Sequence, residues 1–145
     1  MSRLQQTIAH TRPYGPALER LRAAGLRPTR QRLALAKLLF DGADRHVTAE
    51  MLHGEALRAR VRVSLATVYN TLHQFTDAGL LREIVVDAER SYFDTNVTNH
   101  HHLFDEGARH LHDIPEADVR LDRMPQLPDG MEVSRVDVIV RIRKS

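Results

Sequence analysis

The sequence predicts an α+β protein, an N-terminal winged helix-turn-helix DNA-binding domain followed by a small α/β domain, on three observations. Short capped helical stretches run in succession and end in two β-type runs around a polar turn, the element order of a winged helix. The remaining residues change character to short strands with little helix. Charge divides along the same line. Met1 to Arg62 carries twelve Lys/Arg against five Asp/Glu, a net of +7, whereas Val63 to Ser145 carries nine against fourteen, a net of −5. Such asymmetry points to a half that meets a polyanion, and the cations are nearly all Arg, which grips phosphate in a bidentate fork.

Each element has its own signals. Pro13-Tyr14-Gly15-Pro16 ends an N-terminal arm, and ALERLRAAGL reads as a helix closed by Gly25. RPTRQRLALAKLLFDG follows with Thr29 as N-cap, apolar Leu35, Leu38 and Leu39, and Gly42 as the stop. HVTAEMLHGEALRARV takes Thr48 as cap and Ala49, Leu52 and Ala56 as its stripe. VSLATVYNTLHQFTDAGLL takes Ser64 as cap, a stripe of Leu65, Val68, Leu72 and Phe75, and Gly79 as exit. LLREIVV and SYFDT then flank the turn Asp87 to Arg90.

Further on, HHLFDEGARHLHDI reads as strand, Gly turn, strand, and PEADVRLDRM as a short acidic helix begun by Pro115. SRVDVIVRIRKS alternates, with Val136, Val138, Val140 and Ile142 on one face. This second domain is too small to complete a core alone, so oligomerisation is expected to supply the rest.

Composition narrows the class. No run of eighteen apolar residues exists, so a transmembrane helix is not expected. The N-terminal stretch MSRLQQTIAHTRPYG lacks an apolar h-region, so no secretory leader is expected either. With no cysteine there are neither disulfides nor thiolate ligands, in keeping with a cytoplasmic protein.

Burying the Leu65/Val68/Leu72/Phe75 stripe leaves Ala66, Thr67, Tyr69, Asn70 and His73 outward. That surface suits a recognition helix: small residues for close approach, Asn for base edges, Tyr and Thr for phosphates or thymine methyls. Arg27, Arg30 and Arg32 flank the start of an earlier helix and offer phosphate or minor-groove contacts. An ordinary amphipathic helix with a polar face is the plain alternative.

AGLRPTRQRLALAKLL, HVTAEML and above all SLATVYNTLHQFTDAGLL closely resemble the ferric uptake regulator family, in register from about Ala23 to Ile114. The resemblance implies a winged-helix domain over 1–94, a hinge over 95–99, and an α/β dimerisation and sensing domain over 100–145. It also implies a homodimer, or a tetramer, on a palindromic double-stranded DNA operator. By motif match Tyr69 and Asn70 sit where the family reads bases, beside Ser64 and Thr67, and Arg27 where a basic residue nears the minor groove. Asn70 replaces the family's usual Arg, which leaves the operator sequence open.

TNHHHLFDEG sets three histidines beside two acids. In a strand His100 and His102 point one way and His101 the other. Two imidazoles hold a metal weakly and need partners, for which His46, Asp94 and Asp113 are candidates. Residue by residue these five match the family's interdomain regulatory site, with two aspartates where glutamates are usual. A thiolate-free N/O donor set suits Fe²⁺, Mn²⁺ or Zn²⁺. The family's structural C-x-x-C zinc is not expected, since Asp105 and Ala108 stand at the first pair. With no histidine after His112, a second His/carboxylate site also looks degenerate.

The triplet, the missing cysteines and the ending RVDVIVRIRK resemble the iron response regulator (Irr) branch, which implies haem sensing at His100, His101 and His102. His10, near Pro13, is a further candidate haem ligand. His100 and His102 are claimed by both readings, so haem and metal are expected to compete. His53, His73, His110 and His112 read as polar surface positions. The expectation is therefore a non-enzymatic, iron- and haem-responsive transcriptional regulator, mainly a repressor of iron and haem genes, with a regulator that senses Fe²⁺, Mn²⁺ or Zn²⁺ without haem as the alternative. A metal or haem buffer is the weaker alternative. A metal hydrolase lacks HExxH, a nucleophile elbow and a Gly-rich phosphate loop.

Overall fold

The structure is a computed structural model describing residues 14–145, so that His10 lies outside the described residues. The chain divides into two compact units, Met1–Val97 and Thr98–Ser145.

The first unit contains α1 (Gly15–Ala23), α2 (Arg30–Phe40), β1 (His46–Val47), α3 (Ala49–Arg58), α4 (Leu65–Asp77), β2 (Arg82–Asp87) and β3 (Arg90–Asp94). Three expected caps form: Thr29, Thr48 and Ser64 accept the backbone N–H groups of Arg32, Met51 and Thr67. The helices bury one apolar face each around Leu21, Leu35, Leu39, Leu52, Leu72 and Phe75, all at 0% exposure. A three-stranded antiparallel sheet in the order β1-β3-β2 completes the unit as a winged helix-turn-helix.

On α4 the buried residues are Val68, Thr71, Leu72 and Phe75, whereas Leu65, expected in the stripe, is 39% exposed. Leu65 begins the helix at one edge of the apolar sector, and the packed face extends instead to Thr71 at the opposite edge. The two-residue β1 has no counterpart among the expected elements.

The second unit holds β4 (His101–Asp105), β5 (His110–Ile114), a 3₁₀ turn at Glu116–Asp118 and β6 (Ile139–Ile142). The strand order is β5-β4-β6, with β4 antiparallel to β5 and parallel to β6. Two expectations change here. The acidic helix from Pro115 shrinks to one 3₁₀ turn with no buried residue, because so short a segment with no apolar stripe has nothing to repay helix nucleation. The last strand is four residues long, and Val140 and Ile142 on its expected core face are 40% and 39% exposed.

Candidate metal centre

Strand register places the sequence-predicted ligands. In the first unit β1 lies against β3 so that His46 stands opposite Asp94. On the other side of β3, Arg82 of β2 stands opposite the same aspartate. His46 Nε2 is 3.1 Å from Asp94 Oδ2, while Asp94 Oδ1 accepts the Asn96 N–H at 2.9 Å. Asp94 is 1% exposed. Arg45 locks this edge: its N–H reaches Thr95 Oγ1 at 2.9 Å, its carbonyl accepts the Thr95 N–H, and its guanidinium grips Glu55 through two hydrogen bonds of 2.7 and 2.6 Å.

In the second unit β4 lies against β5 so that His102 stands opposite Asp113. His100 just precedes β4, on the same face as His102, with the two rings 4.5 Å apart. The Nε2 atoms of His100 and His102 lie 3.2 and 3.5 Å from a single oxygen, Asp113 Oδ1. Both imidazoles are buried.

Tautomers follow from the hydrogen bonds. His100 Nδ1 is 2.7 Å from the Thr98 carbonyl, which can only accept, so Nδ1 carries the hydrogen and, in the neutral ring, Nε2 presents a lone pair. That lone pair faces a carboxylate oxygen at 3.2 Å, two electron-rich atoms that need a proton or a cation between them. Bonds of about 2.1 Å place neighbouring ligand atoms about 3.0 Å apart in an octahedral shell and about 3.4 Å apart in a tetrahedral one. The distances in each unit match the edges of such a shell. The residues present therefore fit a divalent cation of imidazole–carboxylate preference, and the Thr98 carbonyl plays the orienting part that outer-shell acceptors play for metal-bound histidines.

His101 points to the other face, where its Nδ1 accepts the Val138 N–H at 3.2 Å. An accepting Nδ1 leaves the hydrogen of the neutral ring on Nε2, so this imidazole is committed to holding the segment that enters β6. His110 and His112 form a second, exposed pair with rings 4.5 Å apart.

The residues expected at DNA have mixed surroundings. Arg27, Arg30, Ser64, Tyr69 and Asn70 are exposed, and Thr67 is half-buried. Arg32 is a brace, bonded to Gln74 Oε1 at 2.9 and 3.3 Å and to the Arg27 carbonyl at 2.8 Å. It thereby ties α2 to α4. The Ser64 hydroxyl donates to Thr67 Oγ1 at 2.9 Å while capping α4. Two histidines read as plain surface positions have structural work. His53 Nε2 lies 3.1 Å from the Val63 carbonyl, at the turn before α4. His73 stacks 5.1 Å from Tyr69 and edge-on to buried Phe93, which steadies the Tyr69 ring. Neither role follows from the helix pattern alone, because His53 needs the Val63 carbonyl beyond the end of its helix and His73 needs Phe93 of β3.

A model of the ferric uptake regulator family matches residues 23–140. The chain belongs to this family. Family members are metal-responsive, DNA-binding regulators of transcription rather than enzymes, and the fold described above is the family's. The chain is 34% identical over 107 residues to a peroxide-responsive repressor, PerR, of Staphylococcus epidermidis, a match covering 74% of this chain and 69% of that one. A PerR of Staphylococcus aureus is 36% identical over 83 residues, 57% of this chain and 55% of the relative. Among solved structures, the ferric uptake regulator of Pseudomonas aeruginosa with manganese superposes with a TM-score of 0.67 at 26% identity, covering 88% of this chain and 97% of that one. The Vibrio cholerae regulator gives 0.68 at 21% identity over 87% and 98% of the two chains, a likeness of fold. No helix among the described residues is long and apolar enough to cross a membrane.

Proposed function

We propose that the chain is an iron-status regulator of transcription, mainly a repressor, whose hold on a palindromic DNA operator is set by one divalent cation at His46, Asp94, His100, His102 and Asp113. The observation that carries this reading is the convergence of two imidazole Nε2 atoms on one Asp113 oxygen, with a second His–Asp pair formed at His46 and Asp94. The residues come from both sides of the expected hinge over 95–99. A cation bound by all five restrains the DNA-reading domain against the dimer domain and so sets the spacing of the recognition helices in a homodimer. Iron, manganese and zinc all suit the donor set, and the P. aeruginosa relative was solved with manganese.

A haem-responsive mode, as in the iron response regulator branch, is the second reading. Its support is the same His100/His102 pair, since His101 is engaged by Val138 and is the poorer axial ligand of the triplet. Haem and cation then exclude one another.

Selection of duplexes from a random pool by the Mn²⁺-loaded protein tests the proposal. A palindromic sequence should be enriched, and chelation should weaken its binding at least tenfold. Haem should release the selected duplex from wild type, whereas His100→Ala/His102→Ala should bind it as weakly as the chelated protein whether or not haem is present. Enrichment that is indifferent to chelator removes the metal reading, and indifference to haem removes the second reading alone.

A further inference from the structure

Three of the helices end in the same motif, and one of them ends unusually. After α1, the Gly25 and Leu26 N–H groups return to the carbonyls of Arg22 and Leu21, and after α4 those of Gly79 and Leu80 return to Thr76 and Phe75. After α3, the Arg60 and Val61 N–H groups return in the same way to Leu57 and Ala56. The residue beyond the helix is left-handed in all three, with φ of 75° at Gly25, 81° at Gly79 and 59° at Arg60. Glycine adopts that conformation without penalty and arginine does not. Retaining a non-glycine residue there against strain points to its side chain.

The surroundings say what that side chain meets. Arg60 and Arg62 lie in the turn that leads into Ser64 and α4, and with Arg30 from the first turn of α2 they line an open cleft floored by Leu33 and Val61. Among the described residues no acidic side chain lines it. All three arginines are exposed, and among the described residues their guanidinium groups have no hydrogen bond or ion pair. The backbone carrying them is pinned from both sides. Gln31 Nε2 donates to the Arg62 carbonyl at 3.2 Å, and His53 lies against the Val63 carbonyl.

We propose that Arg30, Arg60 and Arg62 form a clamp for neighbouring backbone phosphates of the DNA duplex, one to each arginine, beside the entry to the recognition helix. This assignment rests on the DNA-binding reading above. It adds Arg60 and Arg62 to the interface and gives Arg30 a definite role. Phosphate contacts position a protein on DNA without reading its sequence. The clamp therefore sets how α4 is presented to the groove, and base choice stays with Tyr69 and Asn70.

The full-length chain tests this, as wild type, Arg60→Gly and Arg60→Gly/Arg62→Gln. Each is titrated against a mixed-sequence duplex and the duplex selected above, over a range of salt. Arg60→Gly should melt no lower than wild type, since glycine suits the left-handed position, yet bind both duplexes less tightly by a similar factor. The slope of log K against log salt should become shallower by about 0.9 for the single variant and about 1.8 for the double one, one phosphate for each arginine lost. An unchanged slope while wild type still prefers its selected duplex overturns the clamp and leaves the regulator reading standing. A lower melting temperature for Arg60→Gly also overturns it, by making Arg60 structural. Failure of selection to enrich any sequence, with the slopes changing as stated on the mixed duplex, keeps the clamp and removes the sequence-specific regulator.

Discussion

Asp113 shows how a single carboxylate organises this molecule. One of its oxygens faces two imidazole Nε2 atoms at 3.2 and 3.5 Å, and the Thr98 carbonyl dictates which His100 nitrogen does the facing. Asp94 has a parallel arrangement, one oxygen held by the Asn96 N–H and the other turned to His46. If the five residues share one cation, His46→Ala and His100→Ala/His102→Ala should each abolish the same single equivalent of bound Mn²⁺ in equilibrium dialysis. Two independent sites would instead leave one equivalent behind in each variant. Asp113→Asn keeps the size of the side chain but removes its charge, and should weaken Mn²⁺ binding by at least tenfold while leaving the helical content unchanged.

At the scale of elements, register and capping carry the argument. β1 is only two residues long, yet its pairing with β3 is what brings His46 opposite Asp94. A one-residue slip would turn His46 to the other face of the sheet. The helix that presents Tyr69 and Asn70 begins at a capped serine, and Ser64→Ala should cost about 1 kcal/mol in chemical denaturation. Phe75, fully buried on the same helix, should cost far more as Phe75→Ala, about 3–5 kcal/mol. A smaller loss at Phe75 than at Ser64 would contradict the packing described. The caps and most of the buried faces were legible in the sequence because they are local and periodic. The exposure of Leu65 was not, because the edge of a stripe is defined by what packs against it.

For the whole molecule, the second unit is the telling part. It leaves Met124, Met131, Val133, Val140 and Ile142 at least 39% exposed, with a long stretch between the 3₁₀ turn and β6 that has no regular structure. The homodimer we propose would cover these side chains, since large exposed apolar residues are drawn to association surfaces. Val140→Asp/Ile142→Glu should convert the protein to monomer in light scattering and weaken binding to a palindromic duplex, while a single half-site is affected much less. A double variant that stays dimeric would place the interface elsewhere.

The sequence by itself determined the family, the α+β order of elements, three helix caps and the identities of the histidines and aspartates worth watching, since these depend on residue type and short-range periodicity. Tertiary structure alone decided which atoms of those residues face one another. It committed His101 to Val138, turned Arg32 into a brace on Gln74, set His53 against the turn before α4, and placed Arg60 beside Arg30 and Arg62 in one cleft. Each of these contacts except the short reach of His53 joins residues more than twenty positions apart or depends on such a joining. Strand pairing and helix packing bring them together, and no local propensity encodes them.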